Sequence, residues 1–488
     1  MWSPTVENGT QGTIFIDGKW RAATSGATFE SLNPATSELL GPVSDGGPAD
    51  VADAIAAAAA AADAWAGKTG YQRAAVLTEA HRLMLQRADD LAALMTAEQG
   101  KPLRAARNEI SYAADFLLWF AEEAKRVYGT TIPSARADQR FVTMRQPVGM
   151  VAAITPWNYP VSMITRKAGP ALAAGCTVIL KPAPQTPLCA VAMFQLLADA
   201  GLPPGVANLV TTSDAEPVGR ALLASEAVRK LTFTGSTKVG KRLAADAAGT
   251  VKRVSLELGG HAPFLVFNDA DPAHAAKGAA LVKFLNTGQA CISPNRIFVQ
   301  REIYPDFLRV LAERVAALRA GNGAEPGVAI GPLIDEPALA KMQRHVTDAV
   351  ERGARLLTGG QRLTGDGCSG GAFFAPTVLS DVTPEMLIYR EETFGPVAAV
   401  TAFDDEAQVI EMANDTAYGL ASYLYTRDLS RAVRVAEALR FAIVGINDIN
   451  PTSAAAPFGG MKESGIGREG GQEGIAEYLE TKLIGLSV

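Results

Sequence analysis

Long hydrophobic runs are missing from this sequence of 488 residues, and the longest, residues 54–62, is mostly alanine. A membrane span needs at least ~18 apolar residues, so we expect none. The first twelve residues, MWSPTVENGTQG, lack the basic start and apolar core of a secretory signal. The sequence thus predicts a cytoplasmic protein without a membrane partner.

Cysteine and histidine are scarce. Each occurs four times, and no C-x-x-C pair or zinc-type spacing joins them. We therefore expect neither a disulfide framework nor a bound metal.

An excess of positive charge is also absent. The chain has 45 Lys and Arg against 51 Asp and Glu, for a net charge of −6. This argues against nucleic acid as a partner. With 48% hydrophobic and 20% charged residues the chain is typical of globular proteins. Its length exceeds the ~250–300 residues at which single cores stop growing, so we expect two or three domains.

The pattern of apolar residues predicts helices over residues 50–66, 71–99 and 108–128, and then two series in which strands alternate with helices. The strands of the first series are expected at 13–16, 148–154, 177–180, 206–209, 230–233 and 253–256, and those of the second at 264–267, 296–299, 355–358, 375–379, 397–401 and 422–425. Residues 129–146 are expected to form a projecting hairpin and residues 478–488 a β-rich end. This alternation indicates an α/β protein with parallel sheets.

Cys291 differs from Cys176 and Cys189, which have aliphatic neighbours, because small and polar residues surround it, in Asn286-Thr-Gly-Gln-Ala-Cys-Ile-Ser. A catalytic thiol needs access and nearby amide donors. The local sequence also fits a small core residue, and both interpretations stay open at this point.

Several predicted strands end in groups that can do chemistry. Glu257 is followed by two glycines, Lys181 ends a strand, and Asn158 lies in a loop fixed by two prolines. Ser236 opens a helix in a Gly-Ser-Thr turn that suits a pyrophosphate. Ligand sites of α/β proteins lie at such strand ends. A surface glutamate and an ordinary capped turn remain alternatives.

The order of these motifs resembles the aldehyde dehydrogenase superfamily over nearly the whole chain, residues 13–486. Glu257 and Cys291 stand 34 residues apart, as is usual in that family. The segment ITRKAGPALAAGC (164–176) is most similar to the succinate-semialdehyde dehydrogenase group. The matching stretches are TPWNYP, KPA-x-QTP, FTGST-x-VG, LELGG, NTGQAC, EETFGP and PFGG-x-K-x-SG-x-GRE.

The resemblance implies a mechanism. Cys291 attacks the aldehyde as a thiolate, Asn158 and the Cys291 amide hold the oxyanion, and hydride passes to C4 of the nicotinamide. Glu257 then activates water to hydrolyse the thioester, and Lys167 and Glu469 relay its proton.

The resemblance also implies a Rossmann-variant cofactor domain, a second α/β catalytic domain and a small β oligomerisation arm. The expected limits are residues 12–128 and 148–257, residues 258–460, and residues 129–147 with 475–488. The expected assembly is a homodimer or homotetramer. NADP, NAD or both would bind at Thr155, Pro156, Trp157, Lys181, Pro184, Gly219, Phe233, Gly235, Ser236, Val239, Glu392 and Phe394.

The substrate implied is a small anionic aldehyde, bound by Arg166, Tyr159, Ser453 and Phe458. Leu285 replaces an arginine that the succinate-semialdehyde group often has, so another semialdehyde, or a sulfonated aldehyde such as sulfolactaldehyde, also suits this site. The resemblance further implies that Ser293, in place of a second cysteine, excludes a regulatory disulfide with Cys291.

Three alternatives remain. A coenzyme A-acylating relative would not need a base at Glu257. A catalytically silent relative would have lost Cys291, Glu257 or Asn158. A cysteine hydrolase would need a histidine base.

Overall fold

The structure, a computed structural model, describes residues 12–365 and 367–488. The predicted absence of a signal sequence concerns residues that lie almost wholly outside this range. Within the described range, every helix is too short or too polar to cross a membrane.

The strands alternate with helices through most of the chain, as the sequence predicts. They are β1 (Ile14–Ile16), β2 (Lys19–Arg21), β3 (Thr28–Leu32), β4 (Leu39–Ser44), β5 (Thr131–Ile132), β6 (Gln139–Pro147), β7 (Met150–Ile154), β8 (Val178–Lys181), β9 (Ala207–Leu209), β10 (Val228–Thr234), β11 (Arg253–Glu257), β12 (Ala262–Val266), β13 (Pro294–Gln300), β14 (Arg355–Thr358), β15 (Thr377–Ser380), β16 (Val397–Phe403), β17 (Ala421–Tyr425), β18 (Ile443–Ile446), β19 (Gly465–Ile466) and β20 (Leu479–Ser487).

Most helices follow a strand and pack on a sheet face. They are α1 (Pro48–Ala66), α2 (Gly70–Gln86), α3 (Ala88–Gln99), α4 (Leu103–Glu123), α5 (Ser162–Ala174), α6 (Pro187–Asp199), α7 (Ala215–Ala224), α8 (Thr237–Ala248), α9 (Pro272–Lys283), α10 (Tyr304–Ala316), α11 (Glu336–Glu351), α12 (Leu387–Arg390), α13 (Glu406–Asn414), α14 (Leu429–Ala438) and α15 (Gly471–Ala476), with 3-10 turns at Ala124–Arg126, Leu285–Gly288, Arg301–Ile303 and Lys462–Ser464.

The first sheet has eight strands in the order β19-β11-β10-β7-β8-β9-β1-β2. Its five central strands, β11 to β9 in that order, are parallel. The chain runs from β7 outward to β8 and β9, and then returns to place β10 on the other side of β7. Such a reversal opens a crevice at the carboxyl ends of the strands, where ligands bind in doubly wound folds.

The second sheet has seven strands in the order β14-β15-β16-β13-β12-β17-β18. All its pairs are parallel except β14 with β15. Its middle strands are fully buried, with Phe264, Phe298 and Tyr423 at 0% exposure. Near-continuous apolar strands of this kind are typical of parallel sheets covered on both faces.

A small third sheet, β20-β6-β5, confirms the predicted hairpin and the β-rich end. β20 pairs antiparallel with β6 over nine residues, from Leu479 opposite Pro147 to Ser487 opposite Gln139. The fold is thus the expected α/β architecture with a small β arm. The exact limits of the domains stay a prediction.

The prediction of one helix over residues 71–99 is wrong. The chain leaves helical geometry at Arg87 (φ −102°, ψ 15°), where α2 ends and α3 begins. Asp89 and Asp90 lie in the first turn of α3. Acidic residues there complement the partial positive charge of a new helix N-terminus. The break is not visible in the sequence, because apolar residues keep a helical spacing on both sides of it.

Candidate active site

Cys291 lies in a tight loop between α9 and β13, the cysteine loop, which includes the 3-10 turn Leu285–Gly288. The loop is folded through left-handed conformations at Asn286 (φ 51°), Thr287 (φ 59°) and Gly288 (φ 74°). Gly260, beyond the end of β11, packs so closely that a Cβ there would lie 2.2 Å from the Cys291 carbonyl oxygen. The ends of β11 and the cysteine loop are therefore in direct contact.

The Cys291 side chain belongs to a partly exposed residue, unlike the buried Cys176 and Cys189. Burial of its sulfur nevertheless raises the pKa of Cys291 to about 12, and the positive charge of Arg166 acts in the opposite direction. Burial therefore disfavours the thiolate form of Cys291.

Asn158 joins the same loop. Its Nδ2 donates to the carbonyl oxygen of Gln289 at 3.0 Å, and its own carbonyl oxygen accepts from Asn286 Nδ2 at 2.9 Å. Asn158 is 5% exposed. The structure thus places a fixed amide donor beside the cysteine loop.

Glu257 is the last residue of β11 and is 3% exposed. Neither carboxylate oxygen has a hydrogen-bond partner among the described residues. Burial, and then the nearby charge of Glu469, raises the pKa of Glu257 well above its ordinary value. Gly459 makes room for this side chain, since a Cβ there would lie 2.8 Å from Glu257 Oε1.

Glu469 forms ion pairs with two consecutive residues of α5, Arg166 and Lys167. Its Oε2 lies 2.8 Å from Arg166 Nε, and its Oε1 accepts from Lys167 Nζ. Lys167 also donates to Thr232 Oγ1 at 3.3 Å. Desolvation opposes ionisation of Glu469, but the two cations hold the pKa of Glu469 below its ordinary value. All three charges affect the pKa of Glu257: Glu469 raises it, whereas Arg166 and Lys167 lower it.

Arg166 is a buried residue, at 2% exposure, and not a surface arginine. Its guanidinium carbon lies 3.9 Å from the centre of the Phe458 ring. Its Nη2 is buried without a hydrogen-bond partner among the described residues. Of the other residues predicted to bind substrate, Tyr159 lies next to Asn158, whereas Ser453 is exposed in the segment that leads to Phe458.

A cavity of about 750 Å³ opens at the carboxyl ends of β7, β8 and β10. It brings together ten of the twelve residues predicted to bind the cofactor, namely Thr155, Pro156, Trp157, Lys181, Pro184, Gly219, Phe233, Gly235, Ser236 and Val239.

The other two, Glu392 and Phe394, lie between this cavity and the cysteine loop. Phe394 (φ 54°) packs edge-on against Trp157, with ring centres 5.6 Å apart. Glu392 Oε1 accepts from the Gly260 amide at 2.9 Å. Burial raises the pKa of Glu392.

Four charged residues that line the same cavity were not predicted from the sequence, namely Glu216, Arg220, Arg242 and Asp246. Glu216 in α7 pairs with Arg220 at 2.7 Å and with Arg242 of α8 at 3.4 Å. The Glu216–Arg220 spacing of four residues on a helix is visible in the sequence. The contact with Arg242 becomes visible only when the two helices are packed together.

The cavity fits a pyridine dinucleotide. Its volume lies within the ~300–1,000 Å³ of ligand pockets. Ser236 caps α8, so the free amides of that helix face an incoming anion. Lys181 supplies a cation at the end of β8, although burial lowers the pKa of Lys181 to about 8. Gly219 leaves space on the wall, because a Cβ there would meet nothing closer than 3.9 Å.

Comparison with known proteins gives a consistent result. The family model described as "Aldehyde dehydrogenase family" matches residues 20–484. A glutarate-semialdehyde dehydrogenase of Pseudomonas putida is 52% identical over 97% of both chains. An NADP+ succinate-semialdehyde dehydrogenase of Escherichia coli K12 is 52% identical over 96% of both. A 3-sulfolactaldehyde dehydrogenase of Pseudomonas putida is 51% identical over 96% of both.

Among solved structures, an NADP-dependent enzyme of Escherichia coli is 50% identical and superimposes with a TM-score of 0.96 over 98% of both chains. The fold and these matches define an NAD(P)-dependent oxidoreductase. The chain belongs to the aldehyde dehydrogenase family and is an enzyme of that class.

Proposed function

We propose that this enzyme oxidises small aldehydes that carry a negative charge at the far end, such as succinate semialdehyde, another semialdehyde or sulfolactaldehyde. The observation that carries this is Arg166. Its guanidinium is buried, and its positive charge lowers the pKa of Cys291. Its Nη2 is buried without a hydrogen-bond partner among the described residues. A buried donor without a partner is costly unless a ligand completes it. The relatives named above act on such aldehydes.

In the first step of the proposed mechanism, Cys291 gives its proton to a solvent water, and its Sγ bonds to the aldehyde carbon while the C=O π bond opens to leave the oxyanion of a thiohemiacetal. Asn158 Nδ2 and the Cys291 amide stabilise the resulting oxyanion. The close contact between Gly260 and the Cys291 carbonyl keeps the loop in place for this attack. One fixed oxyanion donor typically contributes about 10²–10³ in rate.

Bound NAD(P)+ supplies the hydride acceptor. The residues that would hold it in the cavity are Lys181 and Pro184 on the ribose side and the α8 amides with Ser236 on the pyrophosphate. Glu392 and Phe394, between the cavity and the cysteine loop, would hold its nicotinamide end. Trp157 supports Phe394 through their ring contact.

Loss of the hydride from the thiohemiacetal carbon to the acceptor re-forms the C=O bond and leaves a thioester on Cys291, which is hydrolysed in the second step. Glu257, once ionised, accepts a proton from water as the water attacks the thioester carbon, and the sulfur leaves. The raised pKa of Glu257 makes it a stronger base than an ordinary carboxylate. Lys167 and Glu469 lie where they can pass the proton on. Glu257 favours water over coenzyme A as the final acceptor.

Replacement of Arg166 by methionine should lower kcat/KM for succinate semialdehyde by about 10- to 100-fold, because charge-assisted hydrogen bonds worth ~1.5–3 kcal/mol are lost. Methionine keeps the bulk beneath Phe458. For a neutral aldehyde of equal length, kcat/KM should change far less. The same comparison with longer semialdehydes and sulfolactaldehyde ranks the substrates of the unaltered enzyme.

The neutral aldehyde is the control for loss of the Arg166–Glu469 pair. Removal of Arg166 also leaves Glu469 with Lys167 alone, and this disturbs every substrate alike. An equal loss for charged and neutral aldehydes would mean that Arg166 serves Glu469 and does not hold the substrate.

We also propose that NADP is accepted, alongside NAD. Relatives that strongly prefer NAD often have a glutamate where this chain has Pro184, and a carboxylate there would repel a 2′-phosphate. Two carboxylates line the cavity. Glu216 pairs with Arg220 and Arg242, and Asp246 is exposed in the last turn of α8. Lys181 remains available to a phosphate of about −1.5 to −2 charge.

Replacement of Pro184 by glutamate should shift the ratio of kcat/KM values from NADP toward NAD by about 10-fold, which corresponds to ~1.4 kcal/mol of added repulsion. Pro184→Gln is the matched control, since glutamine also removes the proline ring and has the size of glutamate without its charge. Activity of the unaltered enzyme with NAD alone, or an equal shift in Pro184→Gln, would contradict the proposed role of charge at this position.

The β arm supports the proposal of a homodimer or homotetramer. β20 is at the edge of its sheet, and Leu483 and Leu486 on it are 60% and 45% exposed. An exposed edge strand with apolar residues favours pairing with another chain.

A further inference from the structure

A buried ion pair lies behind the candidate site, on elements that the mechanism above does not use. Lys101 follows α3 and Glu109 lies in α4, and each side chain is 1% exposed. The Lys101 ammonium donates to Glu109 Oε2. The desolvation cost of burying two charges is usually about as large as their mutual attraction, so such a pair adds little stability by itself. Its other contacts therefore indicate what the pair does in the protein.

Lys101 holds the backbone of Asn158. Its Nζ donates to the Asn158 carbonyl oxygen at 2.8 Å and lies 4.2 Å from the centre of the Tyr159 ring. The ammonium is thus occupied on three sides, by a carboxylate, a carbonyl and an aromatic face. Among the described residues the Asn158 carbonyl has one other donor, Asn286 Nδ2, which belongs to the cysteine loop itself.

Glu109 holds the start of α5. Its Oε1 accepts from the amides of Val161 and Ser162, both at 3.1 Å. The residue before α5, Val161, has no side chain that could cap the helix, so Glu109 caps it from α4. The same helix carries Arg166 and Lys167.

We propose that Lys101 and Glu109 are positioning residues for the reaction: together they clamp residues 158–162 at both ends and so hold the Asn158 amide against the oxyanion. This inference rests on the oxyanion role proposed for Asn158. A displacement of ~1 Å in a reacting geometry can cost about 10²-fold in rate, so a loosened clamp slows the chemistry without emptying the site.

The test uses the double variant Lys101→Met/Glu109→Gln, which removes both charges and leaves no unpaired one. Glutamine keeps an acceptor for the α5 amides, whereas methionine cannot donate to Asn158. Single-turnover formation of reduced cofactor at saturating aldehyde should fall by about 10- to 100-fold. The dissociation constant of the cofactor should stay within about threefold, because Lys181 and Ser236, which would hold its ribose and pyrophosphate, lie at the ends of β8 and β10 and not in residues 158–162.

The matched control is Lys252→Met. Lys252 is also a buried lysine whose Nζ donates to main-chain carbonyls, those of Ser225 at 2.7 Å and Val228 at 2.8 Å, but it has no contact with residues 158–162. Its single-turnover rate should equal that of the unaltered enzyme. Melting temperature and circular dichroism of all variants report whether they fold, and Lys101→Leu/Glu109→Gln, which also removes both charges, takes the place of the first double variant if that one does not.

The decisive comparison repeats the experiment in an Asn158→Ala background. That substitution alone should cost about 10²–10³ in rate. If the clamp acts through Asn158, adding the double variant should change the rate less than about threefold, because effects on one unit do not add. A further 10- to 100-fold loss there would overturn the clamp. The clamp would also be contradicted if Asn158→Ala were slow while the double variant kept the full rate. A full rate in Asn158→Ala would instead contradict the oxyanion role itself.

Discussion

Replacement of Cys291 by alanine should abolish aldehyde oxidation and leave cofactor binding intact. Loss of a covalent nucleophile lowers turnover by about 10⁴-fold or more in enzymes of this kind. The thiol reacts only with the aldehyde, whereas the cofactor cavity is lined by residues of β7, β8, β10 and the helices beside them. Steady-state production of reduced cofactor and fluorescence titration of the cofactor measure the two effects separately.

Cys176→Ala is the matched control for this experiment. Cys176 is a buried thiol whose Sγ lies 3.5 Å from the Tyr478 carbonyl oxygen, away from the candidate site. Its removal should retain most of the activity. If Cys291→Ala kept more than a trace of turnover, or if both variants lost activity equally, Cys291 would not be the nucleophile.

The fold could be predicted from the sequence where a local pattern decides the structure. Apolar runs between helices located β7, β8, β10 and β11 to within about three residues, because central parallel strands must be apolar on both faces. Elements with little burial were missed. β18 (Ile443–Ile446), the hairpin of β3 and β4, and the helix α13 were not predicted, because each of these elements buries no more than two residues and so has no clear apolar pattern.

The site could be predicted as far as motifs are local. Lys181 and Glu257 do end strands, and Ser236 does cap a helix. What the sequence could not reveal is pairing between distant segments. The Arg166–Glu469 contact joins residues 303 positions apart, and Lys101 reaches Asn158 across 57. The sequence specifies which residues are charged, but tertiary packing determines which residues pair with them.

Replacement of Glu257 by glutamine should slow thioester hydrolysis far more than hydride transfer. Glutamine has the same shape but cannot accept a proton from water, and loss of a general base typically costs about 10²–10⁴-fold. Steady-state turnover should fall by that factor, while the first turnover stays close to that of the unaltered enzyme. A burst of reduced cofactor, stoichiometric with enzyme, should therefore precede the slow steady state in stopped-flow experiments.

The pH dependence gives a second test of the same residue. Because burial and Glu469 raise the pKa of Glu257, its ionised, basic form is lost at a higher pH than for an ordinary carboxylate. Hydrolysis in the unaltered enzyme should therefore increase as the pH rises through this raised pKa, and the glutamine variant should lack that increase. Hydroxylamine, which cleaves thioesters without a base, should restore turnover of the variant. If single-turnover hydride transfer fell as far as steady-state turnover, and hydroxylamine gave no rescue, Glu257 would act before the thioester forms, because no thioester would be accumulating for either nucleophile to cleave.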